Sequence, residues 1–147
     1  MATAARSETS ALLWVVGGLA LAWNVLGASD YTMTQYGGAE YLRSAGMDAA
    51  SIAYMQEVPA WAEAGWALGV WGGVAGAVLL LLRRRAAVWA FAVSLIGLAM
   101  MTAYTYSRDL PPGLSSPGAI AFDWSIKLVA VLLLWYAWRL RQRGVLR

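Results

Sequence analysis

Asp123 and Lys127 stand four positions apart inside AIAFDWSIKLVAVLLLWYAW, residues 119–138, a stretch that is apolar at 17 of its 20 positions. In a helix that spacing puts a carboxylate and an ammonium on one face, acid before base, where each neutralises the other. An isolated Lys at the centre of a bilayer costs about 2.5–3.5 kcal/mol on insertion scales, so the pair calls for either a structural or a binding role. Asn24 and Glu63 are further polar side chains in apolar surroundings, and the chain order puts them at the same depth. The binding expectation is that Glu63 and Asp123 share Lys127, and that Asn24, Glu63, Asp123 and Lys127 form a ligand-binding polar pocket open to the outer face. The competing expectation is an ion pair that fixes helix register.

The residue types present narrow the chemistry further. With no His and no Cys, the chain offers no imidazole for a haem iron, no thiolate nucleophile, no disulfide and no zinc site of the usual kind. No two carboxylates stand at a spacing that suggests a metal site or a catalytic dyad, and no glycine-rich phosphate loop joins a strand to a helix. Neither an enzyme nor a cofactor is expected, and no metal.

The elements that must position these residues follow from composition. Apolar residues make up 61% of 147 positions, nine of them Trp, and charged residues only 13%, which describes a membrane protein rather than a soluble domain. The apolar residues gather into four blocks, about 11–28, 61–82, 86–106 and 119–138, each near the ~20 residues a helix needs to cross ~30 Å of hydrocarbon. The first block is taken as an uncleaved span, because Glu8 precedes it and Leu26 is poor at a cleavage position. The expected fold is all-α: one transmembrane domain, a four-helix antiparallel bundle.

Charge orients it. Arg6, the run Arg83, Arg84 and Arg85, and Arg139, Arg141, Arg143 and Arg147 fall on one side of four alternating spans, and the positive-inside rule makes that side the cytoplasm. The opposite loops hold Arg43 and Arg108 against Asp30, Glu40, Asp48, Glu57 and Asp109. Both termini are therefore expected to be cytoplasmic, with the flanking arginines meeting anionic lipid headgroups and no role in nucleic-acid binding. Trp14, Trp89, Trp135, Tyr136 and Trp138 at one edge, and Trp23, Trp61, Tyr104, Tyr106 and Trp124 at the other, fit the aromatic belts of the same topology. Trp66 and Trp71 lie deeper and are read as packing residues.

Local signals complete the map. Ser116-Pro117 reads as a cap and first-turn proline for the last helix, and Pro59 opens the second span in the same way. The RRR connection is so short that its helices form a hairpin. Residues 29–58 read as an outer loop, with Asp48 capping a short helix that carries Ile52 and Met55 on one side, and another turn or two over 39–44. This loop is expected to form a helical cap on the outer surface. In GWALGVWGGVAG, Gly65, Gly69 and Gly73 recur every four residues, as do Gly72 and Gly76, the small-residue spacing that lets helix backbones approach. One stripe is expected to meet a neighbouring helix; the second is open to the same use or to a homo-oligomer contact.

The inner halves of the spans hold one polar side chain, Ser94, whereas a transport path needs polar groups near and on both sides of the midplane. The segments WNVLG (23–27), PAW (59–61), VWGGVAGAVLLLLRRRAA (70–87) and FAVSLIG (91–97), with the basic tail, resemble small four-span bacterial inner-membrane proteins of unknown function, some of them labelled sugar transporters. The resemblance implies a topology and a multi-pass location in the inner membrane, and no site residues. Two functional readings stand. One is an accessory or scaffold subunit of an inner-membrane assembly, with lipid and a membrane protein or a second copy as partners. The other is a protein that binds or transports a small molecule or lipid, acting as an oligomer through a pocket around Lys127.

Overall fold

The computed structural model describes residues 2–147, with side chains from Ala11 onward; the side chain of Arg6, one of the charges used for orientation, lies outside the described residues. Six helices follow in order: α1 (Ala2–Ser44), α2 (Ala49–Gln56), α3 (Ala60–Leu81), α4 (Ala86–Tyr106), α5 (Pro112–Ser115) and α6 (Pro117–Gln142). Four of them, α1, α3, α4 and α6, are long and apolar enough to cross a membrane. Successive long helices run antiparallel and pack in chain order, α1 on α3, α3 on α4, and α4 on α6.

The sequence reading and the structure part company in α1. The outer loop was expected to begin at Ser29, yet the helix continues to Ser44 with one break, at Gly38 (φ 51, ψ −138). The stretch SDYTMTQY contains no helix breaker, and its polar groups are accommodated on the helix. Thr32 Oγ1 donates to the carbonyl of Ala28 at 2.7 Å, and Tyr31 sets its ring edge-on to Trp66 of α3 at 5.1 Å. Only glycine adopts the Gly38 conformation without strain. Beyond it the chain turns back, so that Tyr41 Oη reaches Asp30 Oδ1 at 2.8 Å.

Close backbone approach holds α3 to α4, as expected where lipid tails are as apolar as the side chains and packing rather than burial drives association. A Cβ on Gly65 would come within 2.7 Å of Met100 Cβ, one on Gly72 within 3.0 Å of the Ser94 nitrogen, and one on Gly76 within 2.6 Å of the Phe91 ring. Gly69 faces Leu98, and Gly97 of α4 nests against the backbone of Gly65 and Gly69. Gly73 instead receives the side chain of Asn24 from α1. Both glycine stripes are thus occupied within the chain.

The opposite ends of the bundle are closed differently. At the basic end, Leu13, Leu80, Ala87, Phe91, Leu140 and Leu146 form one buried cluster. Helix α6 stops at Gly144 (φ 69), with the Val145 N–H bonded to the Leu140 carbonyl at 3.0 Å, a glycine-terminated helix end. The tail then crosses the RRR turn: Arg147 N–H donates to Arg83 O at 2.7 Å, and Arg85 N–H to Arg147 O at 3.0 Å. At the other end α2 and α5 form a cap. Asp48 caps α2, accepting from Ser51 N–H and Ser51 Oγ, each at 2.9 Å, and Gly113 of α5 packs directly over that carboxylate. Tyr54, Ala62 and Tyr104 form a small core beneath. Arg108 ties the cap down, pairing with Glu57 at 3.2 Å and donating to Tyr104 Oη at 3.1 Å.

Candidate functional site

The four polar residues singled out in the sequence go to three different places. Asn24 lies on the α1–α3 seam with its amide oxygen against Gly73, beyond the midpoint of α3, and its Nδ2 donates to the Ala20 carbonyl at 2.8 Å. This is deeper than the level shared with Glu63 that is expected from the sequence, because α1 is longer than the apolar block that marks it. Ser94 is near the same level and donates to the Gly69 carbonyl at 2.5 Å.

Asp123 and Lys127 form the ion pair read from their spacing, Nζ to Oδ1 at 2.5 Å. Tyr106 Oη donates to Asp123 Oδ2 at 3.2 Å, and the ammonium lies 5.4 Å from the centroid of the Trp124 ring. Lys127 is 15% exposed and Asp123 39%, so the cation is covered while its partner faces outward. Every strong partner of this pair comes from α4 or α6. Among the described residues Lys127 pairs with Asp123 alone, so the expected sharing of Lys127 with Glu63 is not formed: α3 and α6 each pack on α4 rather than on one another.

Glu63 belongs to a separate chamber at the cap end of the α1–α3 seam. Its Oε1 accepts from Gln35 Nε2 at 2.8 Å, across the two helices. Thr34, Gln35 and Gly38 of α1, Gln56 of α2, and Glu63 and Trp66 of α3 line a cavity of about 220 Å³ together with Leu42, Met55 and Val58. The volume suits a small group rather than a drug-sized ligand, for which ~300–1,000 Å³ is usual. Thr34 Oγ1 is buried there without a hydrogen-bond partner. No Lys or Arg lies within ion-pair distance of the Glu63 carboxylate among the described residues. A second cavity, about 260 Å³ and nearly all apolar, opens along the same two helices between Val25, Ala28, Thr32 and Met33 of α1 and Trp71 and Val74 of α3.

Sequence reasoning found Glu63 and missed its surroundings. Thr34 and Gln35 precede the break at Gly38 and Leu42 follows it, and all of them fall in residues read as loop. The usable signal was the unbroken run from Leu26 to Tyr36, which lacks Gly–Gly or Pro until Gly37. Trp66, assigned to packing, is both a packing residue and a wall of the chamber.

No group of three or more acidic side chains gathers where it could hold a metal ion among the described residues. Electrostatically the clearest feature outside the spans is Asp48, whose carboxyl is held below the usual range by the hydrogen bonds from Ser51. Fold and site together describe an all-α, multi-pass membrane protein with a polar chamber at the end away from the arginine run 83–85. No family model, curated protein or solved structure matches the chain.

Proposed function

We propose that this is a non-enzymatic multi-pass protein of the bacterial inner membrane, with both termini cytoplasmic and the cap outside, that binds a small polar or amphiphilic molecule in the Glu63 chamber. The observation that carries the proposal is a carboxylate that has no cationic partner among the described residues and lines a polar cavity. A half-buried anion left unpaired at a membrane interface is costly, and such groups in membrane proteins face cavities where they meet ligands. The Asp123–Lys127 pair, by contrast, is satisfied by its neighbours and is assigned to helix register. Beyond the level of Asn24 and Ser94 the basic end is filled by Leu13, Leu80 and Leu146, which favours binding over conduction through one chain.

A second reading, an accessory subunit of a larger assembly, draws on α6. Only 6% of its apolar window is buried, against 33% for α3, and the outward carboxylate of Asp123 lies on that lightly held helix. A partner helix that covers Asp123 would fit.

One experiment separates the two: mass spectrometry of the lipids, metabolites and proteins that co-purify in mild detergent with the wild-type chain, Glu63→Gln, Lys127→Met and Asp123→Asn. A small molecule retained by wild type and Lys127→Met but absent from Glu63→Gln is the expected result. A stoichiometric partner protein lost on Asp123→Asn, with small-molecule content unchanged by Glu63→Gln, would replace the binding reading with the accessory one.

A further inference from the structure

We infer that the chamber's ligand is the ammonium headgroup of a membrane lipid, whose chain lies in the apolar groove of the same seam. The inference rests on the binding reading above and adds the chemical class of the ligand.

Charge selects the headgroup. Among the described residues Glu63 is the one ionisable group lining the chamber, and its Oε1 is engaged only by the neutral amide of Gln35. An anion would meet uncompensated repulsion there. An ammonium would find the carboxylate, and the Trp66 ring as a cation–π wall. The lower cavity is apolar, its Thr32 hydroxyl being spent on the Ala28 carbonyl.

Geometry selects a lipid over a free amine. The chamber draws on Glu63 and Trp66 of α3, and the groove on Trp71 and Val74 of the same helix, eight residues further in. At ~1.5 Å per residue the two are about 12 Å apart along the membrane normal, the separation of a headgroup from the upper part of its chain. On α1 the order is matched, Thr34 and Gln35 above, Ala28 and Thr32 below. The polar volume of about 220 Å³ is small enough for a headgroup amine and too small for a whole lipid, whose remaining bulk stays in the bilayer.

The test is native mass spectrometry of the full chain in detergent, titrated with dioleoyl-phosphatidylethanolamine, dioleoyl-phosphatidylglycerol or free ethanolamine. The expected result is one ethanolamine lipid bound about tenfold tighter than the glycerol lipid, a preference abolished by Glu63→Gln, as the loss of one charged hydrogen bond implies. Val74→Trp, which fills the groove and leaves the chamber untouched, is expected to weaken the ethanolamine lipid without affecting free ethanolamine. Circular dichroism and gel filtration establish that each variant is folded, and Glu63→Asp, which keeps the charge, is expected to retain part of the preference. Equal binding of the two lipids, or a preference that survives Glu63→Gln, overturns the ammonium assignment. Free ethanolamine binding as tightly as the lipid, with Val74→Trp silent, overturns the lipid assignment and leaves the chamber as a binding site. Binding of none of the three overturns the inference alone if another molecule co-purifies in a Glu63-dependent way, and both readings if none does.

Discussion

Gly97 is the residue on which the α3–α4 interface turns. A Cβ there would lie 2.5 Å from the Gly69 nitrogen and still closer to the Gly65 carbonyl oxygen, both backbone atoms that cannot swing aside. Gly97→Ala is therefore expected to force the helices apart and cost about 1–3 kcal/mol, the usual range for overpacking, read as a lower midpoint in a denaturing-detergent titration. Gly18, whose Cβ would meet nothing within 4 Å, provides the control: Gly18→Ala should leave the midpoint unchanged or raise it. Asp48 gives a residue-scale pH prediction. Its folded-state pKa is depressed by the Ser51 hydrogen bonds, so its contribution to the cap is complete above the unfolded value near ~3.9 and is lost as pH falls through the lower folded value. Proteolysis within α2 should accelerate on acidification through that window, and Asp48→Ala should show the acid-state rate at neutral pH.

Among the elements, the short tail after α6 contributes more than its length suggests. Leu146 is fully buried among residues of the bundle, and its flanking backbone pairs with the RRR turn at Arg83 and Arg85. Leu146→Ala is expected to cost about 2–5 kcal/mol, the range for emptying a packed Leu site, measured in the same titration. The Arg108–Glu57 bridge on the cap is the opposite case. Both side chains are about half exposed, so Glu57→Gln should change stability by no more than about 1 kcal/mol. Helix α1 shows why elements were legible only in part. Its apolar block was visible and its end was not, because a helix terminates at a backbone break, here Gly38, rather than where its side chains become polar.

For the whole molecule, orientation is the property most open to test, and the absence of native cysteine makes the test clean. With a single cysteine at Ser115, beside the cap, an impermeant maleimide should label intact spheroplasts. With the cysteine at Gln142, among the arginines, labelling should require permeabilisation. The reverse pattern would put the Glu63 chamber in the cytoplasm and remove the outer leaflet as its source of ligand. The order α1–α3–α4–α6 also accounts for the distribution of polar groups, since α3 and α6 each pack on α4 rather than on one another, which gives Glu63 and Lys127 separate environments.

The sequence by itself determined the four apolar helices, the hairpin at the arginines, the Asp48 and Ser116 caps, and the Asp123–Lys127 pair. These depend on composition, on local backbone chemistry, or on contacts within one helical turn, all of which are written in neighbouring residues. Tertiary structure alone decided that Asn24 meets Gly73, that Glu63 meets Gln35 rather than Lys127, and that a chamber opens beside it. Those contacts depend on which helices are adjacent and on how far α1 extends before it breaks, and neither is encoded in the spacing of residues along one helix.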